Sequence, residues 1–159
     1  MERVIRVLDL QPGPGNGKFF LDLHEVLPAF VPDGHAWRWA IRSQPELSAA
    51  PRWDLNLPFI LEEIEKSPRG FTMSFEELEQ FAARVDQVVW GEFVAAEFEG
   101  DLPTRAATSA DVGRHAIAGA LAFDSSYWFL GGPAYVIQRA TTMFRETEDA
   151  APEEWPATD

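Results

Sequence analysis

Cysteine is absent from the 159 residues, which removes disulfides, thiolate metal ligands and a cysteine nucleophile together. Lysine is scarce as well, two residues against eleven arginines. Basic charge of any kind is outnumbered: 13 Lys and Arg face 26 Asp and Glu, for a net charge of −13 and a pI near 4.5. Phosphate backbones need a basic footprint, so the sign of this charge argues against a nucleic-acid partner. The same sign argues against an anionic membrane surface. No apolar run approaches the roughly 18 residues of a membrane span. The first residues, Met1-Glu2-Arg3-Val4-Ile5, lack the long apolar core of an export signal, so a cytoplasmic location is expected. The three histidines, His24, His35 and His115, follow no metal-ligand spacing, and neither a metal nor a cofactor is expected.

What is present is core-forming material. Hydrophobic residues make up 46% of the chain, with twelve Phe and six Trp. That is enough for one packed domain at this length. The acidic residues Glu146, Glu148, Asp149, Glu153, Glu154 and Asp159 share the last fourteen positions with no Lys or Arg. Without that segment 20 acids still face 13 bases, so the body is acidic at −7. The expected organisation is a single domain over residues 1–145 and a flexible acidic tail over 146–159.

Apolar density predicts a strand over residues 3–10, broken by Gln11-Pro-Gly-Pro-Gly-Asn-Gly17. Phe19, Phe20, Leu23 and Leu27 recur near helical spacing, which predicts a short helix over 18–28. Trp37, Trp39 and Ile41 alternate with Arg38 and Arg42, the mark of a strand with two different faces. Residues 43–57 read as a loop, and Ile60, Leu61 and Ile64 give a short helix over 58–66. Ser74-Phe-Glu-Glu77 is a capping box, flanked by Met73 and Leu78 as a hydrophobic staple, and it predicts a helix from 75 to 84. Residues 87–98 form a long strand, apolar on both faces and therefore central in a sheet. Residues 99–113 read as a polar loop. From 115 to 123 larger residues alternate with Ala116, Ala118, Ala120 and Ala122, and Asp124-Ser125-Ser126 turns the chain into a strand over 127–130. Pro133 then opens a helix whose buried face is Val136, Ile137, Ala140, Met143 and Phe144. This order predicts an α+β domain with a largely antiparallel sheet and three to four helices.

Catalytic signatures fail on inspection. Gly13-Pro-Gly-Asn-Gly17-Lys18 resembles a phosphate loop in outline, but position 12 is Pro, position 19 is Phe, and Pro14 removes a cradle amide. Asp124-Ser125-Ser126 lacks the glycine-flanked elbow of a serine nucleophile. Glu92, inside an apolar strand beside Trp90, is the acid whose surroundings stand out: burial would raise its pKa unless a partner such as arginine meets it. It stands five residues from Glu97, so the two face opposite sides of a strand.

Two tracts, Gln87-Val-Val-Trp-Gly-Glu-Phe-Val94 and Phe123-Asp-Ser-Ser-Tyr-Trp-Phe-Leu130, followed by a C-terminal helix, resemble small bacterial immunity proteins. Such proteins neutralise toxins, and many are acidic α+β domains without catalytic residues. The resemblance implies a non-enzymatic binding protein that occludes a basic toxin. Acidic residues would steer the partner and aromatic anchors would bury against it, with Glu92, Glu97, Asp124, Tyr127 and Trp128 as the candidate contacts. Two other expectations stand beside this one. The first is a self-associating accessory protein, such as a homodimer. The second is a small-ligand-binding domain or enzyme with a pocket near Trp90 and Glu92.

Overall fold

The central strands carry apolar residues on both faces, and the alanines of one face mark the side that the helices cover. The structure, a computed structural model, describes residues 1–15, 17–47 and 57–156. In chain order the elements are β1 (Arg3–Leu8), β2 (Leu10–Pro12), β3 (Lys18–Phe20), α1 (Leu23–Val26), β4 (Arg38–Ile41), β5 (Glu46–Leu47), α2 (Leu57–Lys66) and β6 (Phe71–Met73). They continue with α3 (Phe75–Ala82), β7 (Val88–Ala96), α4 (Ser109–His115), β8 (Ala118–Phe123), β9 (Tyr127–Gly132), α5 (Ala134–Met143) and β10 (Thr147–Ala150). The main sheet runs β10-β1-β9-β8-β7-β4-β6, with β5 also paired to β7, and every pairing is antiparallel. The fold is α+β, and the described residues hold five α-helices where three to four were expected.

One face of the sheet packs on the helices. Ile5, Val7, Trp39, Ile41, Phe93, Ala95, Ala118, Ala120, Ala122, Trp128 and Leu130 point into this larger core. The alanines let α5 approach: Val136, Ile137 and Ala140 are fully buried in the same cluster. α3 is fixed as its capping box predicts. Ser74 Oγ accepts from the Glu77 amide at 3.2 Å, and Glu77 Oε2 accepts from the Ser74 amide at 3.1 Å. It turns Phe75, Leu78, Phe81 and Ala82 inward, and each large side chain so buried contributes about 1.5–3 kcal/mol of transfer free energy.

The opposite, outer face has a second and smaller core of Val4, Ala40, Val94, Ala96, Leu121 and Phe129. Among the described residues no long helix covers it. The segment from Leu102 to Ala116 and the C-terminal Trp155 pack there instead.

Four expectations change. Residues 18–28 are not one helix: 18–20 pair with β2 as a hairpin, and Asp22 starts α1 only afterwards. Phe19 and Phe20 imitate helical spacing with Leu23 and Leu27, yet they remain exposed. Within the expected loop over 99–113, Thr108 Oγ1 accepts from the Asp111 amide and starts α4, so His115 closes a helix rather than opening a strand. The segment after Arg145 packs onto the domain. Its β10 pairs with β1, and Trp155 is buried. The acids that suggested a free tail instead meet arginines across the ladder, Arg3 with Asp149 at 2.7 Å and Arg6 with Glu148 at 2.5 Å. Within the expected loop over 43–57, Glu46–Leu47 form β5, and residues 48–56 lie outside those described.

Candidate interaction surface

Glu92 sits in the middle of β7 on the outer face, and its side chain is fully buried. Arg42 Nε donates to its Oε2 at 2.5 Å, and Trp155 Nε1 donates to its Oε1 at 2.8 Å. Arg42 lies at the bend between β4 and β5. Its Nη1 donates onward to the carbonyl of Thr104 at 2.9 Å, with those of Ala107 and Arg105 at 3.2 and 3.3 Å. One buried carboxylate thus ties the 102–107 loop and the C-terminal segment to the sheet. The expected arginine partner for Glu92 is present. Because both oxygens are taken inside the protein, Glu92 cannot serve as a partner contact, nor as a ligand group beside Trp90.

Trp155 fits over the sheet because glycines leave room for it. A Cβ on Gly113 would collide with the carbonyl oxygen of Pro152, and a Cβ on Gly119 would stand 3.0 Å from Trp155 Cη2.

Trp128 is also fully buried, on the helix-bearing side. Its Nε1 donates to Asp9 Oδ1 and to the Leu21 carbonyl, both at 3.1 Å. Asp9 takes a further bond from the Leu21 amide at 3.1 Å, and Gln87 Nε2 is at 3.5 Å. Burial pushes the Asp9 carboxyl above its ordinary pKa, and the hydrogen bonds from Gln87, Trp128 and Leu21 offset that only in part. Asp9 was missed in the sequence, although its signal equals that of Glu92: an acid between Leu8 and Leu10 in an apolar run. Trp128 is therefore a core residue and not a partner contact.

The other three candidates are exposed but lie at two ends of the sheet. Glu97 follows β7 where Ala96 pairs with Arg38. Asp124 and Tyr127 belong to the β8–β9 hairpin, seven or more positions back along the ladder. At about 3.3 Å per residue that is over 20 Å, so Glu97 does not share a surface with the other two.

Around Tyr127 a row of aromatic and charged side chains crosses the outer face. The registers place Glu46 opposite Trp90, Trp90 beside Phe123, Phe123 opposite Tyr127, Arg6 opposite Phe129 on β9, and Arg6 opposite Glu148. The rings are in contact. Trp90 and Phe123 centroids are 4.7 Å apart, Phe123 and Phe129 are 6.0 Å apart, and the Arg6 guanidinium lies 5.6 Å from the Tyr127 centroid. Trp90 and Phe123 are half-buried, and Tyr127 is exposed. Of this row Tyr127 and Trp90 stand out in the sequence itself. Arg6 and Glu148 join only through sheet order.

Among the described residues, Asp22, His24 and Glu25 bring one ligand atom each within 4.8 Å of one another. Two of these already have a structural task, since Glu25 Oε2 accepts from the Asp22 amide at 2.7 Å to cap α1. Burial, and then the neighbouring Glu25, raise the pKa of Asp22. An open hollow of about 480 Å³ lies between Glu65–Pro68 and Thr104–Ala106, and Glu92 is not among the residues that line it. Comparison with protein-family models, with curated proteins and with solved structures gives no match for this chain.

Proposed function

We propose that this is a non-enzymatic acidic protein that binds a basic protein partner, acting as an immunity protein that occludes a basic toxin. The observation that carries this reading is the division of labour among the acids. The two carboxylates in apolar surroundings, Glu92 and Asp9, are bonded within the fold. Exposed acids such as Glu46, Glu97, Asp124, Glu148 and Asp149 contribute to the −13 charge that a partner meets. Such a field raises the encounter rate with a cationic protein, and exposed aromatics then supply the buried anchors. Self-association through the free edge of β10 is less well supported. Antiparallel pairing of two copies there would bring Glu148 and Asp149 near their own counterparts, a repulsive arrangement that edge strands use against pairing.

The test is affinity capture of the tagged protein from its native host at low and moderate salt. A stoichiometric basic protein that is released as salt rises is expected. Recovery of no basic protein at either salt, with light scattering showing dimers, would overturn the reading in favour of self-association.

A further inference from the structure

The outer face of the sheet has two halves. One is closed by the 102–116 segment and Trp155, fastened through Arg42 and Glu92. The other carries the row Glu46, Trp90, Phe123, Tyr127, Arg6 and Glu148, of which Glu46, Tyr127 and Glu148 are exposed among the described residues.

From this row we infer that this half of the outer face is where a basic protein partner docks, its side chains packing on Trp90 and Tyr127 while Glu46 and Asp124 meet its charges. The inference rests on the reading proposed above and names the surface for it.

Three observations support it. The first is size: the row crosses five strand spacings, from β5 through β7, β8, β9 and β1 to β10, or about 24 Å at about 4.8 Å each. That matches the breadth of a standard interface, about 800 Å² per partner. The second is charge: Glu46 stands at one end and Asp124 at the hairpin tip, while Arg6 and Glu148 at the other end neutralise each other at 2.5 Å. Arg6 over Tyr127 also displays the cation–ring contact that a partner's arginine would repeat on Trp90. The third is pre-organisation. Asp124 and Ser125 both adopt φ of 51° in a tight turn, closed by the Ser126 amide donating to the Phe123 carbonyl at 3.0 Å. Positive φ at both central residues matches the twist of the flanking strands, so the hairpin's own pairing sets the position of the tip beside Tyr127.

Phe98, 63% exposed and next to Glu97 and Glu99, supplies the control, because it projects at the opposite end of the sheet. The experiment purifies the basic protein captured by the intact chain and titrates it calorimetrically into the parent and the variants Tyr127→Ala, Asp124→Asn and Phe98→Ala. Hydroxyl-radical footprinting of the parent complex is run beside it, since that readout requires no variant to fold. The expected result is a tenfold or greater loss of affinity for Tyr127→Ala, a weaker salt dependence for Asp124→Asn, a change within twofold for Phe98→Ala, and protection of Trp90 and Tyr127. A partner that binds all three variants equally, or protects Phe98 instead, overturns the surface and leaves the binding reading intact. Failure to obtain any basic partner overturns both, and protection of Tyr127 only in a dimer of this chain replaces the partner by a second copy.

Discussion

Trp155 Nε1 donates to Glu92 Oε1 at 2.8 Å, so the end of the described chain is fastened to the centre of the sheet across 63 positions of sequence. With Arg42 on the other oxygen, this contact turns an isolated acid in an apolar strand into the clasp that closes half of the outer face.

Replacing Trp155 by Phe keeps most of the ring and removes the donor. One buried carboxylate oxygen then loses its bond, at a cost of about 1–3 kcal/mol. Arg42→Met breaks the buried ion pair with Glu92, at about 3–5 kcal/mol. The double variant Arg42→Met with Glu92→Leu is expected to be more stable than Arg42→Met alone, because neither charge remains. Urea unfolding midpoints of the four proteins check this order, and a double variant below Arg42→Met would refute it.

Asp9 makes a pH-dependent prediction. Its folded pKa is raised above the ordinary value of 3.8 by burial. The folded state therefore holds this proton more tightly than the unfolded chain does, and its stabilising contribution is complete only below about 3.8. It is lost as pH rises from there through the raised folded value. Asp9→Asn removes this dependence, so the variant gains on the parent as pH increases across that window. Paired thermal melts from pH 3 to 7 measure the gap, and a constant gap would count against the assignment.

Ser125 occupies the left-handed region at φ 51° beside Asp124 at the same angle. Aspartate tolerates this conformation better than serine does, and glycine best of all. Ser125→Gly is expected to stabilise the protein by about 1 kcal/mol, read as a rise in the urea midpoint. No rise, or a fall, would mean that the Ser125 side chain contributes more than its backbone costs.

Gly113 has no space for a side chain, because a Cβ there would strike the carbonyl of Pro152. Gly113→Ala should displace the 152–155 turn and release Trp155 from Glu92 while leaving the helix-side core folded. Hydrogen exchange is the measurement: amides of 147–155 are expected to exchange faster, with those of β7 and α3 unchanged. Faster exchange throughout would show that the outer clasp supports the whole fold.

The helix-side half of this molecule is close to legible in the sequence. Ser74 and Glu77 cap α3, Trp39 and Ile41 alternate with Ala40 and Arg42, and the alanines at 118, 120 and 122 face the core as a row of small residues should. All of these signals are short-ranged, set by a period of two or 3.6 and by a three-residue cap. The errors lie where sequence neighbours carry no such period. Phe19 and Phe20 imitate a helical stripe but belong to a hairpin, and the acids after Arg145 look solvated but pair with Arg3 and Arg6.

Composition and pattern by themselves determined an acidic α+β domain built round a central β7, and marked Glu92 as an acid out of place. Which acids face solvent was decided by tertiary structure alone. Strand order brings Arg42 and Trp155 onto Glu92, sinks Trp128 against Asp9, and lines up Arg6 with Tyr127. A strand has two faces and several possible neighbours. The period of two names the faces, but only pairing across distant segments selects the neighbours, and pairing leaves no local trace in the chain.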